Sequence, residues 1–277
     1  MGSRLAETID SVRSQVYQPI EIIVVNDGST DPETLRYLEG VSGDGIEVVN
    51  QANGGLSSAV NTGLSMARGP YFLVLGDDLI HPHYIRDAVQ EIQRDDDLGI
   101  VYCRARLFGS INEPWRLPPF TMKRQLFDNC IFATSLFRVD DWRAVGGFDE
   151  TMREGREDHD FVMRILSLGR KVKRIEREYF FYRRGAANSL NDDVGSDRAK
   201  LIRAHASIFR NNLSLYADNA ETFWEAYFEL IDERNQLAHR YQALEKFRTS
   251  SAGSAVVSAA KGARNAIRRF KAKVARS

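Results

Sequence analysis

Carboxylates stand directly after two apolar segments of the chain. The segments Ile20–Val25 and Tyr71–Leu75 are typical of strands buried on both faces, because aliphatic and aromatic residues follow one another almost without a break. Open α/β folds bind ligands at the carboxyl ends of such strands. The residues at these two ends are Asn26, Asp27, Gly28 and Ser29 after the first strand, and Gly76, Asp77 and Asp78 after the second.

We expect these two strands to be parallel neighbours, which would bring their carboxylates to one edge of the sheet. The mutual repulsion of the carboxylates then requires a cation or a ligand donor to offset it. Oxygen ligands alone suit Mg²⁺ or Mn²⁺ bound together with phosphate oxygens. His81, His83 and His159 show no zinc-binding spacing. The pairing therefore favours a divalent cation and a phosphorylated ligand over solvated loop carboxylates.

A second acidic group, Glu157-Asp158, opens a predicted helix. Carboxylates in a first helical turn are commonly caps that complement the helix dipole. The flexible, charged loop before them, which follows Gly146-Gly147-Phe148-Asp149-Glu150, also suits a catalytic group. The residues alone leave both interpretations open. They do exclude a Gly-x-Ser-x-Gly hydrolase turn, a Walker loop and a dinucleotide fingerprint, since none of these motifs is present.

The elements that position these groups alternate between strand and helix. This alternation predicts an α/β fold with a mainly parallel sheet flanked by helices. The predicted helices lie near residues 4–18, 32–38, 56–67, 82–93 and 158–168, and the predicted strands at residues 20–25, 46–49, 71–75, 100–105, 131–139, 172–175 and 178–183.

Composition is that of a soluble globular protein. The chain has 277 residues, 43% of them hydrophobic, and a formal net charge of zero, so we expect no nucleic-acid partner. Its only two cysteines, Cys103 and Cys130, stand in apolar surroundings, which predicts buried thiols in a reducing compartment. No apolar run reaches the length of a membrane span, and no signal peptide opens the chain. We therefore expect a cytoplasmic protein, with attachment to the inner face of a membrane still open.

The last third of the chain changes to long polar helices. We predict three parts: residues 1–194 as the α/β domain, residues 195–250 as a helical extension, and residues 251–277 as a basic amphipathic tail. The tail fits either an interfacial helix on anionic lipid or a solvated segment. The extension is expected to pack on the α/β domain or to pair with a second copy as a homodimer, because an apolar stripe with four- and three-residue spacing, broken at Arg234, runs through Phe223, Tyr227, Leu230, Leu237, Tyr241 and Leu244.

The order of the motifs resembles the family 2 glycosyltransferases with the GT-A fold, over about residues 4–190. Each motif alone is weak, and all seven in order are highly specific. They are Val25-Asn26-Asp27-Gly28-Ser29-Thr30-Asp31, Asn53-Gly54-Gly55, Ala59-Val60-Asn61-Thr62-Gly63, Gly76-Asp77-Asp78 followed by Pro82, Gly146-Gly147-Phe148-Asp149-Glu150, Glu157-Asp158, and Tyr182-Arg183.

The resemblance implies an inverting transfer of a sugar from a nucleotide diphosphate sugar, with UDP the expected nucleotide, to a hydroxyl of a glycan, lipid-linked or protein acceptor. Such a reaction would belong to polysaccharide, glycolipid or cell-envelope glycan synthesis. The general base would be Asp158, supported by Glu157, and Mn²⁺ or Mg²⁺ would be held by Asp78 and Asp77. The donor would be bound by Asn26, Asp27, Gly28, Ser29, Asn53, Gly54, Asn61, Asp77 and Arg183, with Asp27 at the base.

The chain departs from the family pattern in two places. Leu75 stands where the acidic triplet often begins with Asp, which leaves open whether Asp77 or Asp78 ligates the metal. The family's usual first strand, ending in a Pro-x-Tyr-Asn-like turn, is missing before the helix near Arg4, so we expect a truncated or misassigned start.

Two other functions compete with this one. A nucleotidyltransferase would show a basic, Gly-rich loop after its first strand, and none is seen. An inactive binding or scaffold protein, assembling through its C-terminal helices, would have no reason to keep carboxylates that destabilise it without a ligand.

Overall fold

The computed structural model describes residues 2–41, 45–185 and 197–250. The predicted basic tail and the predicted boundary after residue 194 lie outside the described residues. The chain divides into two compact units, Met1–Ala220 and Glu221–Ser277.

Eight strands are described, and all lie in the first unit. They are β1 (Ile22–Asp27), β2 (Ile46–Gln51), β3 (Tyr71–Leu73), β4 (Leu79–Ile80), β5 (Leu98–Gly109), β6 (Glu113–Trp115), β7 (Leu136–Arg138) and β8 (Lys171–Arg184).

Ten helices are described, numbered here in chain order. They are α1 (Gly2–Arg13), α2 (Pro32–Val41), α3 (Leu56–Met66), α4 (Tyr84–Arg94), α5 (Met122–Gln125), α6 (Val139–Ala144), α7 (Glu157–Ser167), α8 (Arg198–Asn211), α9 (Leu213–Asp218) and α10 (Ala220–Thr249). None of the described helices is both long and apolar enough to cross a membrane.

The α/β class is confirmed, but the strand directions differ from the mainly parallel sheet that we expected. Strands β1 and β2 form a parallel pair of their own, and a six-stranded sheet runs in the order β3-β7-β5-β8-β4, with β6 on β5. In that second sheet only β5 and β8 are parallel, and the other described pairs are antiparallel. Strands β1 and β3 lie in different sheets. Apolar periodicity reports burial and carries no information on direction, which is why the sequence missed this arrangement.

The predicted strand over residues 131–139 was also too long, since only Leu136–Arg138 is extended in the sheet. Before Leu136, side-chain oxygens accept hydrogen bonds from the backbone amides. The Gln125 side-chain oxygen accepts from the Cys130 amide at 3.0 Å, and the Asn129 side-chain oxygen accepts from the Ile131 amide at 3.1 Å. Amides engaged in this way are not available to a neighbouring strand.

Strand β8 pairs with β5 in the sheet, and helix α7 contributes Phe161 to the core, where its ring contacts Phe72 and Phe137. The two strands that the sequence places at residues 172–175 and 178–183 are one strand, β8, whose register with β5 shifts near Cys103. In α7, Phe161, Val162 and Met163 are all at most 1% exposed, and the Phe148 ring stacks on Phe161 with centroids 4.0 Å apart. Both cysteines are buried, as predicted.

Helices α8 and α9 belong to the first unit, although the sequence places them in the extension. They pack on α7 through a buried carboxylate, Asp160, which is 0% exposed. Its Oδ1 atom accepts from the side-chain amides of Asn211 and Asn212, both at 3.1 Å, while Oδ2 accepts from Arg164 Nε at 2.8 Å. These bonds fix α7 to residues about fifty positions further along the chain.

Candidate active site

The carboxylate at the end of β1 is held by protein donors. Asp27 Oδ1 accepts from the Gly54 amide at 2.8 Å and from Gln51 Nε2 at 2.8 Å, and Oδ2 accepts from the Gly55 amide at 2.9 Å. Burial acts to raise the pKa of Asp27, but these three hydrogen bonds outweigh it and bring the pKa below its usual value. Asp27 is therefore an anion that joins β1 to the loop before α3.

The turn after β1 is built from the residues that the sequence singled out. Gly28 has φ +74, and a Cβ there would lie 3.0 Å from the Asn53 amide nitrogen. Asn26 is buried, with its amide donating to Asn50 Oδ1 at 2.8 Å, and its own Oδ1 accepts from the Ser29 amide at 3.0 Å. The structure thus brings Asn26, Asp27, Gly28, Ser29, Asn53 and Gly54 together.

The second acidic end lies between β3 and β4. Asp78 is buried, 8% exposed, and its Oδ1 accepts from the backbone amide of Arg183 at 2.7 Å. Its carbonyl oxygen accepts from the Thr8 hydroxyl at 3.0 Å. Burial is the main cause that raises the pKa of Asp78 to about 7, and the negative charge of Asp77 adds to it.

Asp77 points to the surface, where its side chain is 49% exposed and its Oδ2 accepts from Arg4 Nη1 at 3.2 Å. The guanidinium of Arg183 crosses the same turn. It donates to the Asp77 carbonyl oxygen at 2.8 Å and to Glu7 Oε2 at 2.6 Å, and it lies 4.5 Å from the centroid of the Phe108 ring. Helix α1 therefore completes this end, a contribution that no motif in the sequence signalled.

The Asp77–Asp78 pair fits a divalent cation that is shared with phosphate. No group of three potential ligands among His, Cys, Asp and Glu is present in the part of the chain that the structure describes, so protein atoms alone would not saturate a metal there. A buried carboxyl beside a second carboxylate is stabilised by a positive charge, and Mg²⁺ or Mn²⁺ commonly takes its remaining oxygen ligands from phosphate. The donor set therefore fits a cation that arrives with a diphosphate.

At the start of α7, Asp158 is oriented by Asn129, an asparagine that no motif in the sequence indicates. Asn129 Nδ2 donates to Asp158 Oδ2 at 2.9 Å. The Asn129 oxygen accepts from Gln125 Nε2 and from the Ile131 amide, which fixes the orientation of the Asn129 amide. Asp158 Oδ1 accepts from the amide of His159 at 2.8 Å.

Both carboxyls of the Glu157–Asp158 pair hold their protons more tightly than usual. Burial raises the pKa of Glu157 to about 7, with the charge of Asp158 adding to the rise, and burial also raises the pKa of Asp158. The preceding residue, Arg156, has φ 69, which is rare for a residue with a side chain. A carboxylate with a raised pKa at a fixed helix end is suited to accept a proton.

Asn61 forms hydrogen bonds with the loop that contains Gly146-Gly147-Phe148. Its Oδ1 accepts from the Phe148 amide at 2.8 Å and from Trp142 Nε1 at 3.1 Å. Its Nδ2 donates to the Phe148 carbonyl and to Glu150 Oε1, both at 2.9 Å. Protein groups thus engage both ends of this amide, which joins α3 to the loop before α7.

Solved structures share this arrangement of strands and helices. Staphylococcus aureus TarS 1-349 in complex with UDP matches with a TM-score of 0.59 at 21% identity, over 81% of this chain and 68% of that one. The mannosyltransferase PcManGT from Pyrobaculum calidifontis, in complex with GDP-Man and Mn²⁺, matches with a TM-score of 0.56 at 18% identity, over 96% of this chain and 77% of that one. These similarities define the fold as GT-A.

The family follows from the sequence comparison. The model of "Glycosyl transferase family 2" matches residues 2–186, and the chain belongs to that family. The uncharacterized glycosyltransferase EpsJ of Bacillus subtilis is 42% identical over 210 residues, which cover 68% of this chain and 59% of that protein. Chondroitin synthase of Pasteurella multocida is 28% identical over 61% of this chain, and the match spans only 18% of that protein's length.

Proposed function

We propose that the protein is an inverting glycosyltransferase that moves a sugar from a nucleotide diphosphate sugar to an acceptor hydroxyl. The observation that carries the proposal is the set of three carboxylate groups: an ionised Asp27 after β1, the Asp77–Asp78 pair after β3, and a fixed Asp158 with raised pKa at the start of α7. Membership of the family supports the same reaction. UDP is the nucleotide that we propose, in line with the UDP-bound TarS structure.

In the proposed reaction the acceptor oxygen attacks the anomeric carbon while the bond from that carbon to the diphosphate breaks. Asp158 takes the proton from the attacking hydroxyl, and Asn129 holds the carboxylate in place. When bound, Mg²⁺ or Mn²⁺ would neutralise charge that develops on the leaving diphosphate. Of the two residues that could hold the metal, we favour Asp77, because its side chain is 49% exposed whereas Asp78 is buried against Arg183.

The acceptor that we propose is a glycan, lipid-linked or protein hydroxyl, in a polysaccharide, glycolipid or envelope-glycan pathway. The names of two relatives, chondroitin synthase and hyaluronan synthase of Pasteurella multocida, support a polysaccharide product. We further propose that the enzyme works in the cytoplasm at a membrane surface. Co-sedimentation with anionic liposomes tests this location, by comparing the full chain with a variant that ends at Ser250.

The donor is tested first, because its binding does not require knowledge of the acceptor. Calorimetric titration with UDP-, GDP- and dTDP-sugars, with and without Mn²⁺, should show one nucleotide that binds in a metal-dependent way. That donor should then be consumed by the wild-type protein and not by Asp158→Asn. Absence of binding for every donor would contradict the proposal and leave the scaffold function.

A further inference from the structure

Helix α10 exposes a long apolar stripe. Its large side chains Leu230, Leu237, Tyr241 and Leu244 are 55%, 64%, 65% and 66% exposed, far more than core residues of the first unit. Single exposed apolar residues are ordinary, but a stripe that continues over most of a 30-residue helix marks an interaction surface.

The stripe follows a heptad repeat of the kind that forms coiled coils. Phe223, Leu230, Leu237 and Leu244 recur every seven residues, which is the pattern of a d position. The a positions alternate between tyrosine and arginine, in the order Tyr227, Arg234, Tyr241 and Arg248. A repeat of 3.5 residues matches a partner helix with the same repeat, and a second copy of this chain supplies one.

Charge separates the two halves of the helix. The half from 221 to 233 carries acidic residues and no basic one, whereas the half from 234 to 249 carries four basic residues and one acidic one. A parallel pair would align like charges and place each core arginine beside its own copy. An antiparallel pair would align each acidic half with a basic half. The acidic residues are Glu221, Glu225, Glu229, Asp232 and Glu233, and the basic ones are Arg234, Arg240, Lys246 and Arg248.

We propose that α10 forms an antiparallel coiled coil with the α10 of a second copy, so that the protein is a homodimer. One register satisfies every core position, because it places each a residue opposite a d residue of the partner copy. In that register Tyr227 packs on Leu244, Arg234 on Leu237, Tyr241 on Leu230 and Arg248 on Phe223 of the other copy.

The same register pairs charges at the edge of the core. Glu233 and Arg240 both occupy g positions, and antiparallel helices bring g positions together, so two Glu233–Arg240 pairs form across the dimer. The aliphatic stems of Arg234 and Arg248 cover the core while their charged ends reach water. The first residues of the two helices lie at opposite ends of the pair, roughly 40 Å apart.

A first experiment tests whether the stripe associates. Sedimentation velocity of the full chain should give a dimer, and Leu237→Asp should give a monomer. The matched control is Gln236→Glu, which adds the same charge one residue away, outside the stripe, and should remain dimeric. Identical monomers for wild type, variant and control would overturn the proposal, as would a wild-type trimer.

A second experiment tests the direction. Leu230→Cys and Tyr241→Cys chains should not form disulfides when each is oxidised alone. Identical positions lie roughly 16 Å apart along an antiparallel pair, whereas a disulfide spans a Cα separation of at most about 7 Å. A mixture of the two variants should cross-link. The native thiols do not compete, since both are buried. Cross-linking of Leu230→Cys with itself would show a parallel pair and overturn the orientation.

A third experiment tests the Glu233–Arg240 pairs and whether a second copy, rather than residues 251–277, covers the stripe. Glu233→Arg and Arg240→Glu should each weaken dimerisation by about 10-fold, and the double variant should restore it. Failure of this rescue would contradict the register. A chain ending at Ser250 should stay a dimer. If instead the full chain is a monomer and the shortened chain dimerises, residues 251–277 cover the stripe and the proposal is wrong.

Discussion

At the end of β1, Asp27 receives three hydrogen bonds and its pKa falls below the usual value, whereas between β3 and β4 burial raises the pKa of Asp78 to about 7. Glu157, at the start of α7, resembles Asp78, with a pKa raised to about 7. The first carboxylate is stabilised by the protein alone. Burial favours the protonated forms of the other two, and perturbed carboxyls of this kind are typical of functional sites.

The largest effect should come from the group that we assign as the base. Asp158→Asn keeps the size of the side chain but cannot take up the acceptor proton, so kcat should fall about 100-fold or more. Donor affinity should stay close to wild type, while the melting temperature should fall slightly, because both carboxylate oxygens accept from N–H donors and the new NH₂ group faces one of them. Asp128→Asn, an exposed carboxylate on the neighbouring loop whose side chain is 73% exposed, is the matched control. Near-normal turnover of Asp158→Asn with saturating acceptor would place the base elsewhere.

The next effect separates the two aspartates of the metal pair. Asp77→Asn removes an exposed charged oxygen and should weaken Mn²⁺-dependent donor binding by about 10-fold or more. Asp78→Asn should change it less, because an amide oxygen still accepts from the Arg183 amide. Calorimetry with and without Mn²⁺ measures both variants. A larger loss for Asp78→Asn would assign the metal to the buried residue.

The pH dependence of turnover should follow the Glu157–Asp158 pair. Burial raises the pKa of Glu157 to about 7 and also raises the pKa of Asp158, so the base is lost as the pH falls through the raised pKa of Asp158. Below that pKa kcat should fall about 10-fold for each pH unit. Glu157→Gln removes the neighbouring charge and should move the apparent pKa of the profile downward. An unchanged profile would show that another group controls turnover.

The sequence predicted the parts of the site that follow from local chemistry. A strand that ends in Asn-Asp-Gly-Ser predicts a turn with a carboxylate, and Gly28 with φ +74 occupies that turn. It did not predict groups that reach the site across the fold. Asn129 is an ordinary loop residue until α7 brings Asp158 beside it, and Arg4 contacts Asp77 from a distant helix.

In the fold, too, local sequence patterns predicted some features, while other features depend on long-range contacts. Apolar runs located most helices and strands, but β4 and β6 have only two and three residues, too few for a pattern. The sequence after residue 194 predicts polar helices, yet α9 carries Leu215 and Tyr216, which are both buried. Both α8 and α9 belong to the first unit, where Asn211 and Asn212 bond to Asp160, a long-range contact that no local pattern reports.

The smallest effect should come from Asp27, the carboxylate whose charge is stabilised by the protein's own hydrogen-bond donors. In Asp27→Asn one oxygen still accepts a glycine amide, but the new NH₂ group faces an amide donor, so one partly buried donor loses its partner. The free energy of unfolding at neutral pH should fall by about 1 kcal/mol. The sign of the pH effect follows from the pKa, which is lower in the folded state than in the unfolded state. The stabilisation by Asp27 is present above the unfolded-state pKa and is lost as the pH falls through the folded-state pKa, so the difference between wild type and variant should shrink in acid.

Asp31→Asn is the matched control, because it makes the same chemical change four residues away at a helix start. There a single oxygen, Oδ2, accepts from the Thr34 amide at 3.0 Å and from the Thr34 hydroxyl at 2.6 Å, so the one oxygen of asparagine can accept both bonds. Urea unfolding of both variants over a pH series measures the difference. Equal losses for the two variants would mean that the glycine amides find other acceptors, and the contrast between the two strand ends would then rest on charge alone.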